Sequence, residues 1–166
     1  QGVSLGNVGP NGASRTTVLQ DGIPINDPFG GWIPWTRYRA ADLVQVTLLP
    51  DGGLSPWGTA SLGGTIALES RALHGDPFLT STLISGNRMP FDASLAFASQ
   101  PYEQTRWFGS IGKTDFSGYP VLRSNQRGRV DTNASVMTTR FDAGTRHWFA
   151  ADREWQTTWR IQGWEE

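Results

Sequence analysis

The chain has no cysteine. Disulfides, thiolate nucleophiles and cysteine-based metal centres are therefore excluded. Charge is scarce: 17% of the residues are Asp, Glu, Lys or Arg, and the formal net charge is −1. That leaves no broad basic surface for nucleic acid, and a low net charge also speaks against a disordered chain. No apolar run approaches the ~18 residues of a transmembrane helix, no secretory signal is visible, and no segment reads as an amphipathic helix. The two histidines, His74 and His147, lie far apart in unlike contexts; they read as separate strand-end or surface residues rather than as a shared metal site. Glu103, Asp115, Asp131 and Glu154 offer carboxylates, but their spacing singles out no acid–base pair. There is no nucleophile elbow, phosphate loop or metal motif. Neither an enzyme nor a bound cofactor or metal is expected.

What the chain does have is Gly 20, Pro 10 and Trp 8 in 166 residues, with 37% hydrophobic content. Apolar side chains on alternate positions of sheets give such a composition. Strand candidates are TTVLQ (16–20), LVQVTLL (43–49) and TIALES (65–70). Val44, Val46 and Leu48 share one face of the second, and Ile66 and Leu68 one face of the third. Asp21-Gly22 between short apolar runs is a tight-turn signal. After Arg71 the text becomes short alternating segments with turns at about ten-residue spacing. FLTSTLIS (78–85), DASLAFASQ (92–100), TRWFGSIGK (105–113) and VMTTRFDA (136–143) read as strands. PYEQ and DAGTR read as turns, and HWFAAD as the start of a further strand. The last segment sets Trp155, Thr157, Trp159 and Ile161 against Gln156, Thr158, Arg160 and Gln162. Short turns on one side, a long polar loop at 115–135 on the other, and aromatics near strand ends suit an outer-membrane β-barrel. A soluble antiparallel sandwich alternates in the same way, so the pattern alone leaves both open.

Three ordered blocks carry a more specific signal: RTTVLQDGIPINDPFGGWIPW, LVQVTLLPDGGLSPWG and TASLGGTIALES. Together they resemble the second half of the plug domain of TonB-dependent outer-membrane receptors, and the following ninety residues resemble the first strands of that family's barrel. One departure is Pro50-Asp51, where the family usually has Arg-Gly; the plug-seating role of that arginine is carried onto no residue here. The chain begins at Gln1 without Met and reads as a piece of something longer. The resemblance implies a mainly β fold. Residues 1–72 would be the C-terminal part of a plug, with short strands. Residues 73–166 would be an open antiparallel sheet of about five or six strands, from a transmembrane barrel of about 22. A small closed barrel would contradict it.

The same resemblance implies a receptor in the bacterial outer membrane. It would bind a scarce solute, such as a ferric siderophore, cobalamin or an oligosaccharide, and import it to the periplasm. Its partners would be that solute, membrane lipid, and a TonB protein acting on an upstream segment. The loop after the Asp-Gly turn would then rise toward the exterior. Phe29, Trp32 and Trp35 would offer stacking area, Asn26 and Asp27 hydrogen bonds, and Pro28 and Pro34 rigidity. The same aromatics would equally serve to wedge a plug in place. A second loop (7–14) adds Asn11 and Ser14 as candidate ligand contacts, although Gly- and Asn-rich turns need no ligand. In the long loop, Arg123, Arg127 and Arg129 read either as a solvated surface or as a site for an anion or lipopolysaccharide phosphate. Trp148, Trp155, Trp159 and Trp164 read as interfacial or lipid-facing residues, with a sugar-stacking platform as the alternative. The competing function is a soluble all-β carbohydrate-binding module.

Overall fold

A computed structural model describes residues 5, 16–50, 63–87, 91–120, 122–149 and 155–165. The protein is mainly β and divides into two compact units, Gln1–Asp76 and Pro77–Glu166.

The first unit holds a four-stranded mixed sheet. Its strands are β1 (Thr17–Gln20), β2 (Ile23–Pro24), β3 (Leu43–Leu49) and β4 (Thr65–Ser70), in the order β2-β1-β4-β3. β1 runs parallel to β4, while β2 and β3 pair antiparallel to their neighbours. The central strands are buried on both faces, which is why TVLQ and TIALES carry little polar alternation. Val18, Ile33, Ile66 and Leu68 form the core, joined by the partly buried Leu5, Ile25, Trp35, Tyr38 and Leu43. Val46 and Leu48 pair with Leu68 and Ile66 on the core side of the sheet, yet both remain exposed. β3 is an edge strand, and the core reaches its first residue, Leu43, but not Val46 or Leu48.

Asp21 and Gly22 both have positive φ, +50° and +86°, and join β1 directly to β2. This is the type I′ pattern expected of an Asp-Gly hairpin. Asp21 also reaches outward: its Oδ1 accepts from the Ser70 N–H at 2.8 Å and lies 3.4 Å from His74 Nε2. The turn is thus fastened to the end of β4. One helical turn, α1 (Arg71–His74), follows there, a feature the sequence pattern does not announce.

The second unit is a five-stranded antiparallel meander. It comprises β5 (Phe78–Ile84), β6 (Phe91–Tyr102), β7 (Thr105–Phe116), β8 (Val136–Trp148) and β9 (Gln156–Glu165), in chain order. β5 and β9 form the two ends of this open order. The expected turn at DAGTR is absent: β8 runs unbroken through Asp142–Arg146 for 13 residues. Gly144, which suggests a turn in sequence, instead lies where a Cβ would collide with the Phe108 ring across the strand pair. Its small size serves packing. Glu103 and Gln104 alone separate β6 from β7, whereas 19 residues, 117–135, separate β7 from β8.

Candidate functional site

The aromatic loop after β2 is held from inside. Asn26 Oδ1 accepts from the Val18 N–H at 2.7 Å, and its Nδ2 donates to the carbonyls of Thr16 at 2.9 Å and Gly31 at 3.1 Å. Asp27 Oδ1 accepts from the N–H groups of Phe29 at 3.0 Å and Gly30 at 2.7 Å, an Asx turn reinforced at its second donor. Backbone bonds from Asp27 N to Trp32 O and from Gly31 N to Asp27 O, both 2.8 Å, close the loop. Gly31 sits at φ +68°. Gly30 has no room for a side chain, since a Cβ there would stand 2.6 Å from Trp32 Cδ1.

This scaffold sorts the aromatics by role. Ile33 is 1% exposed and enters the core, pulling the loop's far end down. Trp35 follows it, begins a 3-10 turn (Trp35–Arg37), and packs partly buried against the same core. Phe29, 99% exposed, stands at the tip, and Trp32 is about half exposed beside Gly30. Of the sequence-based candidates, Phe29 and Trp32 therefore form the outward surface. Asn26 is committed to the fold through three hydrogen bonds, and Asp27 uses one carboxylate oxygen to shape the tip. Asn11 and Ser14 lie outside the described residues. Asp51 does too, while the Pro50 carbonyl lies 3.2 Å from where a Cβ on Gly64 would sit.

The second unit distributes polarity in an unusual way. Register-paired residues share a face. Leu79, Phe97, Gly109, Ala143 and Ile161 form one row across all five strands, and Ser81, Leu95, Ile111, Phe141 and Gly163 the next. Ser99, Trp107, Thr145 and Trp159 continue the same face toward the short-turn end. This apolar face is the open one, with Leu79 75% and Trp159 74% exposed. At the long-loop end it meets a row containing Lys113, Thr139 and Glu165. Phe97 lies over Gly109 and Phe141 over Gly163, so rings cover the glycines across the ladder.

The opposite face is less accessible and more polar. Asp92, Thr114 and Thr138 are aligned across β6, β7 and β8. Thr114 Oγ1 donates to Asp92 Oδ1 at 2.9 Å and accepts from Arg140 Nη1 at 3.0 Å, while Arg140 Nη2 stands 3.7 Å from Asp92 Oδ1. Gly112 leaves space for the Arg140 guanidinium. Arg160 grips Asp142 through Nε at 2.9 Å and Nη2 at 2.6 Å, with its Cζ 5.7 Å from the Phe108 ring centre. Arg106 on the same face is only 4% exposed. The sequence pattern locates the two faces but does not tell which is open. The signal for that is the content of the polar set, in which arginine reaches aspartate diagonally: Arg160, in register with Gly144, meets Asp142, and Arg140, in register with Gly112, meets Asp92.

Neither histidine belongs to a metal cluster: no group of three or more metal-ligating side chains occurs among the described residues. His74 meets Asp21, and His147 Nδ1 stands 3.0 Å from Thr105 Oγ1 with Phe149 edge-on at 5.0 Å. No helix among the described residues is long and apolar enough to cross a membrane, a fact that leaves membrane-crossing strands untouched. No family model and no curated protein matches the chain in sequence.

Proposed function

We propose that the chain is part of a TonB-dependent outer-membrane receptor, which binds a scarce extracellular solute and admits it to the periplasm. The observation that carries this reading is the inverted sheet of the second unit. Large apolar side chains occupy its open face, while ion pairs and hydroxyls occupy its less accessible face. In water this arrangement exposes apolar surface without gain. Against lipid it is the favoured one, with apolar residues outward and polar residues inward on alternating positions. β6 and β7 have 12 residues each. At about 3.3 Å per residue and the roughly 45° tilt of membrane strands, they would cover about 28 Å, close to a hydrocarbon core. Tyr102, Trp107, Trp155 and Trp159 collect at the short-turn end, as interfacial aromatics do. The three sequence blocks of the first unit add the plug. In this reading Phe29 and Trp32 form part of the floor that meets the solute.

The test is cell fractionation of the protein encoded by the complete reading frame around this chain, followed by solute binding to the purified product. Recovery in outer membranes, with binding of a ferric siderophore, cobalamin or an oligosaccharide weakened by Phe29→Ala and Trp32→Ala, supports the proposal. Recovery as a soluble, cooperatively folding protein overturns it and makes a sugar-binding β module the reading to pursue.

A further inference from the structure

We propose that the loop between β7 and β8 is a docking site for a phosphate-bearing lipid surface. The proposal rests on the loop's own chemistry and does not require the receptor reading.

The loop is folded at both its neck and its tip. At the neck, Pro120 bridges to Asn133, and the Ala134 N–H donates to the Tyr119 carbonyl at 3.0 Å. Gly118, at φ +67°, lies so close to the Ala134 carbonyl that no Cβ fits. Nearer the tip, a 3-10 turn (Ser124–Gln126) follows Arg123, and the Gly128 N–H donates to the Asp131 carboxylate. A loop closed in this way presents its side chains with little left to order on binding.

Three arginines are presented: Arg123, Arg127 and Arg129, all exposed. Arg127 Nε donates to the Leu122 carbonyl at 2.8 Å. That bond brings its guanidinium beside the peptide joining Leu122 to Arg123 and leaves both Nη nitrogens for a ligand. Among the described residues, the side chains of Arg123 and Arg129 make no hydrogen bond or ion pair. The other described arginines, at 37, 39, 71, 106, 140, 146 and 160, are all engaged. The loop has one acidic residue, Asp131, whose Oδ2 accepts from the Gly128 N–H, so three arginines stand against one carboxylate. Guanidinium groups match phosphate oxygens in shape and charge and lose little hydration on pairing.

Apolar side chains are interleaved with these cations. Leu122 precedes Arg123, and Val130, 89% exposed, follows Arg129. A free phosphate ion would gain nothing from them. A lipid surface offers phosphates to the arginines and acyl chains to Leu122 and Val130, so the mixed surface fits an amphiphile.

The experiment presents the full chain to vesicles of phosphatidylcholine alone and of phosphatidylcholine mixed with phosphatidylglycerol, and measures the ratio of the two affinities. Comparing two vesicle types cancels the apolar sheet face, which meets both. The expected ratio favours the anionic vesicles by about fivefold per arginine, or about a hundredfold for three, and falls on adding salt. The triple variant Arg123→Gln, Arg127→Gln, Arg129→Gln removes the ratio. The double variant Leu122→Ser, Val130→Ser weakens binding to both vesicle types. A ratio near one, or a ratio unchanged in the triple variant, overturns the proposal. Competition by inorganic phosphate with no effect of the serine variant also overturns it, in favour of a free-anion site. Should the triple variant lose its strand circular dichroism, the salt titration of the unaltered protein decides: a ratio indifferent to salt overturns the proposal.

Discussion

Arg160 holds Asp142 across β8 and β9 with two bonds, Nε to Oδ1 at 2.9 Å and Nη2 to Oδ2 at 2.6 Å, on the face opposite the exposed Trp159 and Ile161. One residue step along β9 therefore separates a clamped charge from an open aromatic. That single alternation contains the physical character of the second unit, because the same exchange of polarity recurs on β6, β7 and β8.

Neutralising one side of this clamp removes the opposite charge that balances a largely buried guanidinium. Asp142→Asn is expected to destabilise the protein by about 2–3 kcal/mol. Removing both with Asp142→Leu and Arg160→Leu should cost less than the sum of the single changes. A double-mutant cycle by chemical denaturation checks this; additive losses would show that the pair is not coupled.

Asn26 and Phe29 should separate stability from recognition. Asn26→Ala loses three hydrogen bonds that tie the loop to β1 and is expected to cost about 2–3 kcal/mol. Phe29→Ala removes a side chain that touches solvent and should change stability by less than about 0.5 kcal/mol. Thermal melts of the two variants provide the comparison. A large loss for Phe29→Ala would mean that its ring is engaged in the fold.

Gly64 has φ +100°, and a Cβ there would stand 2.6 Å from the Leu49 carbonyl. Both the backbone region and the space reject a side chain. Gly64→Ala is expected to cost about 2–3 kcal/mol, more than an alanine placed at Gly22, where nothing stands within 4 Å and only the positive φ is penalised. Equal losses in urea midpoints would show that contact with β3 contributes nothing.

Much of this was legible in the residues, and the rest fails for identifiable reasons. LVQVTLL and TIALES are strands with the bounds that their β-branched runs suggest. Asp21-Gly22 marks its hairpin because few residues tolerate two successive positive φ values. DAGTR misled because glycine reads the same in a turn as beneath an aromatic ring, and only the cross-strand register reveals Phe108 above Gly144. α1 is a single turn, too short for helical periodicity to register. In the aromatic loop the sequence marks a segment dense in aromatics but not the division of labour within it. Trp32 and Trp35 look alike in the chain, and it is Ile33 entering the core between them that turns one outward and the other down. Asn26 and Asp27 looked like ligand donors because the backbone groups they satisfy come from a fold that the text alone does not show.

The open face of the meander should respond to charge in a way that depends on its surroundings. Ile111 lies in the middle of the apolar rows, between Leu95 and Phe141, whereas Thr139 lies in the row with Lys113 and Glu165. If lipid covers this face, Ile111→Arg is expected to cost about 2–4 kcal/mol for folding into bilayers, and Thr139→Arg no more than about 1 kcal/mol. In water both positions are exposed and both changes should stay within about 0.5 kcal/mol. Folding titrations of the two variants of the complete protein in phosphatidylcholine vesicles read this difference directly. A depth-dependent penalty assigns the face to the bilayer; two small and equal effects assign it to water. The comparison uses two positions on adjacent strands of one sheet, so a general loss of foldability would lower both together and could not imitate the expected gap.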